Sequence, residues 1–166
     1  MDKQNGLFKV SKEEYGEKFQ DHYLEIYKMY VEATNQISDR RQIANSFFLS
    51  INTAIVGLVG YVRSDSSIKT FLLFHILISI AGMMISYTWY RLILSYQQIN
   101  SGKFKVIHSI EKKLPLSPYD AEWEKLGRGE NPKKYLPFTH IEVVVPWVFL
   151  GINLVLLIGA IWSLII

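Results

Sequence analysis

The chain has 166 residues, with Lys+Arg 18 against Asp+Glu 15 and a formal net charge of +3. Apolar residues make up 49% and charged residues 20%, at a mean hydropathy of +0.13, so the two kinds are segregated along the chain. Intrinsic disorder is excluded by the apolar content, disulfide, thiol and Cys-based metal chemistry by the absence of cysteine, and a nucleic-acid interface by a basic excess too small and dispersed to bind phosphates.

Residues 1–18 read as an N-terminal tail. The first 40 residues hold no apolar stretch of the signal-peptide kind, so the first membrane helix is expected to act as its own insertion signal. No Gly or Pro occurs from Lys18 to Val56, and Phe19, Tyr23, Ile26, Tyr30 and Ile37 recur mostly at spacings of three, four or seven. This predicts one long helix over 19–62 with an amphipathic first half. Its second half enters the charge-free block Phe47–Val62, which Ala44, Asn45 and Ser46 extend; the first transmembrane span is placed at 46–62. A short outer loop is expected over 63–70.

The second charge-free block, Phe71–Tyr90, has the roughly 20 residues needed to cross about 30 Å of hydrocarbon. It predicts a span over 71–90 that runs on to 114, with Ile99, Val106, Ile107 and Ile110 as its apolar face and Gly102 as a point of bending. At 1.5 Å per residue, each of these two helices is roughly 60–70 Å long, twice the membrane thickness. Residues 115–142 carry Pro115, Pro118, Pro132, Pro137, Gly127 and Gly129, which predict an ordered loop with helix only around Asp120–Leu126. Residues 143–166 form a third apolar span. Three buried helices of a soluble protein are the competing reading. It is disfavoured because the third block is apolar all round and the chain is too small to bury three such helices.

Charge asymmetry sets an expected orientation. Residues 1–46 carry seven Lys/Arg and residues 91–142 carry nine, whereas 63–70 carries only Arg63 and Lys69. Basic flanks stay cytoplasmic. The N-terminus and 91–142 are therefore expected on the inner side of the membrane, and the C-terminus outside. Trp89, Tyr87, Tyr90 and Trp147 fall at the inner face, Tyr61 and Trp162 near the outer one. The fold class is an all-α membrane protein with three transmembrane helices, the first two extended into the cytoplasm. One chain cannot cover both amphipathic extensions, which favours a homo-oligomeric ring with a cytoplasmic collar over a monomeric hairpin.

Small and polar residues form stripes inside the spans. Ser46, Ser50, Thr53, Gly57 and Gly60 follow one another at 4, 3, 4, 3 residues, with Asn52 on a neighbouring face. His75, Ser79, Gly82 and Ser86 follow at 4, 3, 4; in the third span Gly151, Gly159 and Ser163 share a face that Asn153 does not. Close helix packing explains most of these positions. Ser50, Asn52, Thr53 and His75 are the pore-lining candidates, although a helix–helix hydrogen bond accounts for Asn52 and His75 equally well. Arg40 and Arg41 are candidates for a basic ring at the inner mouth; ordinary positive-inside anchoring is the alternative.

Catalytic patterns are weak. His22, His75, His108 and His140 are scattered, and His140 and Glu142 lack a further ligand at metal spacing. Gly127–Arg128–Gly129 is an isolated glycine pair, not a phosphate loop. Glu122 and Glu124 point to different sides of a helix, and no Arg stands four to six residues before a His as in a ribonuclease dyad. No catalytic residue, metal site, cofactor or enzymatic activity is expected.

Three stretches carry a resemblance when taken together: RRQIANSFFLSINTAI at 40–55, SGKFKVIHSIEKKLP at 101–115 and YDAEWEKLGRGENPKKYLPFTHIE at 119–142. They resemble the RipA-like family of small octameric bacterial inner-membrane proteins, over roughly residues 20–160. The resemblance implies an eight-subunit, pore-like ring with a cytoplasmic collar and no enzymatic activity. A pore-forming accessory membrane protein of some CRISPR systems with RNA-targeting effectors is similar in architecture, which implies membrane depolarisation in phage defence. In a pore, Tyr119, Trp123, Arg128 and Tyr135 are expected to clamp one subunit's loop to its neighbour. The expected partners are other copies of the chain, membrane lipid and permeating ions, without direct nucleic-acid binding. The alternative is a non-conducting membrane scaffold that recruits cytoplasmic partners through 91–142.

Overall fold

The computed structural model describes residues 7, 9–61 and 68–165; of Gly60, Ile68 and Lys69 only the backbone is described. Most of the expected outer loop therefore lies outside the described residues. Among the described residues, all regular structure is helical. A single turn, α1 (Lys12–Tyr15), is capped by the Ser11 hydroxyl, which accepts from the Glu14 N–H at 3.2 Å. The long helices α2 (Phe19–Tyr61) and α3 (Ile68–Glu111) follow. At 43 and 44 residues they are roughly 65 Å long. A short α4 (Pro118–Lys125), a 3₁₀ turn (Gly127–Gly129), a one-turn α5 (Phe138–Glu142) and α6 (Val144–Ile165) complete the chain.

Three helices are long and apolar enough to cross a membrane, and each leaves most of its apolar stretch uncovered by the protomer. Lipid or further protein must cover those faces, since a soluble fold could not leave them bare. α3 is the centre. It packs against α6 along the membrane half and against α2 along its length, while α2 and α6 share no extended interface. α3 continues through Gly102 as uninterrupted helix.

The packing face of α2 differs from the predicted stripe at one point. Ile26 is 53% exposed, whereas Tyr23, Tyr27 and Tyr30 are half-buried and Thr34 is buried. The face therefore turns through Tyr27, because its hydroxyl reaches the Glu111 carboxylate at 2.9 Å, a contact that isoleucine cannot make. Ile99 is likewise 46% exposed; α3 buries Trp89, Ile93, Ile107 and Ile110 instead. In α6 the glycine face is not the packing face. Pro146, Asn153 and Ala160, seven residues apart, are buried against α3, and Gly159 is exposed.

α3 and α6 approach closely at Gly82, where a Cβ atom would stand 2.3 Å from Asn153 Oδ1. A Cβ there requires the enclosed Asn153 side chain to shift. Gly82→Ala is expected to cost about 1–3 kcal/mol by overpacking. Thermal unfolding in detergent checks this, and Asn153→Ala in the same chain should restore part of the loss, giving non-additive coupling.

Candidate functional site

The membrane half of the protomer is held by a seam of polar side chains on α3. Ser79, Gly82 and Ser86 share one face, with Asn52 of α2 on one side and Asn153 of α6 on the other. Asn52, Ser79, Ser86 and Asn153 are all 0% exposed. The Ser86 hydroxyl donates to Asn52 Oδ1 at 2.7 Å, and it also lies 2.8 Å from the Gly82 carbonyl oxygen. Asn52 Nδ2 donates to the Phe48 carbonyl and Asn153 Nδ2 to the Phe149 carbonyl, both at 2.8 Å. Ser79 Oγ and Asn153 Oδ1 are buried without a protein partner.

This placement corrects the pore-lining expectation for Asn52. Its side chain is enclosed between α2 and α3 and cannot meet water on the protomer surface. His75 is a second helix-to-helix contact: its Nδ1 lies 2.8 Å from the Phe71 carbonyl oxygen and its Nε2 3.3 Å from that of Val59 on α2. Ser50 and Thr53 differ. Together with Ser46 and Gly57 they are exposed, on a face of α2 that nothing else in the protomer covers. Both hydroxyls fold back on their own helix, Ser50 to the Ser46 carbonyl and Thr53 to the Leu49 carbonyl, each at 2.8 Å. Their donors are satisfied, while their oxygens retain acceptor capacity towards the outside.

At the N-terminal end of this seam, Arg41 forms an ion pair with Glu142 of α5. Arg41 is thus a tie between α2 and the segment leading into α6, which removes it from a free basic ring; Arg40 is exposed. Trp89 Nε1 donates to Asn45 Oδ1 at 2.8 Å, and its ring stacks on Phe48 at 6.0 Å.

Far from the spans, a knot closes the extended halves of α2 and α3. The Glu111 carboxylate is buried and accepts three hydrogen bonds: from Tyr27, and from the backbone N–H groups of Tyr119 (3.1 Å) and Asp120 (3.0 Å) in the first turn of α4. A carboxylate there complements both the free amides and the helix dipole. The Tyr23 hydroxyl donates to the Ile110 carbonyl, and Lys103 Nζ sits 4.5 Å from the centre of the Tyr30 ring. The residues expected to clamp a neighbouring subunit pack within this knot. Tyr119 lies edge-on to Phe104 at 5.8 Å, Trp123 edge-on to Tyr135 at 6.2 Å, and Arg128 reaches Asp120 at 3.6 Å. These contacts lie within one chain, and the Arg128 side chain stays 52% exposed. Gly129 at φ 74 leaves room for the Trp123 ring, which a Cβ would approach to 3.0 Å, and Arg128 between the two glycines adopts φ 52. Sequence reading missed Glu111 as the organising residue, because a carboxylate at the end of an amphipathic helix ordinarily faces water.

Helical hydrogen bonding, uncovered apolar spans and a buried polar seam define a helical membrane protein whose outer faces need further copies or lipid. Residues 24–162 match the sequence profile of the octameric membrane protein family (8xMP), and the chain belongs to that family. It is thus a homo-oligomeric membrane protein. No curated protein and no solved structure matches it.

Burial, and secondarily the bond to Glu111, push the Tyr27 phenol above its ordinary value of 10.0. Its contribution to stability is complete below about pH 10 and is lost as pH rises beyond that value. Glu111→Ala leaves two backbone amides and the Tyr27 hydroxyl without their acceptor, at about 1–3 kcal/mol for each donor that stays buried. Faster tryptic cleavage at Lys125 and Arg128 should report the release of α4. Tyr27→Phe should instead flatten the alkaline fall in thermal stability.

Proposed function

We propose that this protein is a homo-oligomeric pore of the bacterial inner membrane, in which α2 lines a water-filled axis. One observation carries the reading: Ser46, Ser50, Thr53 and Gly57 form a continuous exposed face within a charge-free segment of α2. Polar oxygens facing hydrocarbon are unfavourable, and a ring of identical helices places them against water or one another instead. The family's eight-subunit assembly supplies enough copies to close such a ring. The exposed Leu24, Ile26 and Met29 on the N-terminal half of α2 would then form the collar between neighbours. Exposed Arg40 stands below the stripe as the remaining candidate for a basic ring at the mouth.

In this reading the N-terminus and 91–142 are cytoplasmic, as their Lys and Arg residues favour. The permeating species are ions, no reaction is catalysed and nucleic acid is not bound directly. Its physiological effect is a change in membrane permeability during phage defence or stress, which draws on the resemblance to the RipA-like and CRISPR-associated pores. The alternative, a non-conducting scaffold, draws on Leu116, 78% exposed just beyond α3; one stoichiometric cytoplasmic partner without conductance would favour it.

The cysteine-free sequence makes the test direct. Thr53→Cys should react with a charged thiol reagent in intact vesicles and lose most ion flux on modification. Leu58→Cys, about 140° round the helix from position 53, should react slowly. Unreactive Thr53→Cys in an assembled, folded ring would remove α2 from the axis.

A further inference from the structure

We propose that the cleft where α2 faces α5 and the start of α6 is a phospholipid site that selects a zwitterionic headgroup bearing a phosphodiester and a primary ammonium. The cleft has a volume of about 570 Å³. It exists because α2 and α6 both pack on α3 rather than on each other. Along its α2 wall the lining runs from Ser38, Arg41 and Gln42 through Asn45 and Ser46 to Leu49, the last pointing the way into the span. Across from them stand Phe138, the charged Glu142 and, towards the span, the apolar Val145. That gradient parallels a lipid's own, from headgroup to acyl chain, at the level where the charge-free segments begin.

The headgroup preference follows from the ion pair. Arg41 and Glu142 both line the cleft, with side chains 15% and 28% exposed, and together they are neutral. An anion alone meets the Glu142 carboxylate, and a cation alone meets the guanidinium. A headgroup carrying both signs sets its phosphodiester against Arg41 and its ammonium against Glu142, closing a ring of alternating charge. Arg41 can serve both partners, because a guanidinium has five N–H donors and the ion pair engages only part of them. The ammonium must keep its N–H bonds to donate to Glu142, so trimethylation should weaken binding. Trp89 is a preformed floor, with its indole N–H already committed to Asn45. The inference rests on the membrane-spanning helices and does not require conduction, although Ser46 belongs both to the cleft wall and to the outward face of α2.

The test reconstitutes the full chain into vesicles of equal phosphatidylethanolamine and phosphatidylcholine with identical acyl chains, then extracts it gently and counts the retained lipids by native mass spectrometry. Roughly tenfold enrichment of the ethanolamine lipid is expected, as for loss of one charge-assisted hydrogen bond. Glu142→Gln should erase the preference while some lipid remains. Since the ion pair also ties α2 to α5, a second variant avoids it: Leu49→Trp fills the acyl end and should abolish retention in an intact assembly. Equal retention of both lipids overturns the proposal. So does retention unaffected by Leu49→Trp, or a neighbouring subunit's side chain found filling the cleft in the assembled particle.

Discussion

Inside a bilayer every polar group that leaves water must find another partner, and the protomer is organised around that requirement. Asn52 and Asn153 each satisfy an amide N–H on their own helix, and Asn52 spends its oxygen on Ser86. The Ser86–Asn52 bond joins α3 to α2 and so fixes their relative rotation at that level. On the other side, Gly82 lets α6 approach until the Asn153 amide rests directly on the α3 backbone. Hydrophobicity alone could not choose these rotations, because lipid tails are as apolar as the faces that pack.

The same requirement leaves a remainder. Ser50 and Thr53 satisfy their donors locally and still present oxygen to the outside of the protomer. This face is polar, uncharged and uncovered in the protomer, and the chain belongs to an octameric family. The halves of α2 and α3 beyond the apolar spans obey a different rule. There, water competes for every polar group, and the Glu111 carboxylate holds α2, α3 and α4 together by excluding that water and accepting three bonds at once.

Two kinds of contact thus divide the molecule. Contacts within one chain account for the knot and the seam, including Tyr119, whose ring meets Phe104, and Trp123 and Tyr135, whose rings meet each other. Arg41 is similarly absorbed by Glu142. The surfaces that remain are the outward stripe of α2, the apolar side of its N-terminal half and the cleft beside Trp89.

The sequence by itself determined that three helices cross a membrane, that two of them run far beyond it, and that a Pro- and Gly-rich segment separates the second from the third. Those features follow from length, charge-free blocks and periodicity, which are properties of consecutive residues. It also showed that Ser79, Gly82 and Ser86 share a face. Only the tertiary structure decided which way each stripe points. A polar residue on a membrane helix can turn towards a sister helix or towards the outside, and both orientations have the same periodicity. The choice was made by partners distant in sequence: Ser86 took Asn52, Glu142 took Arg41 and Tyr27 took Glu111, leaving Ser50 and Thr53 to face outward.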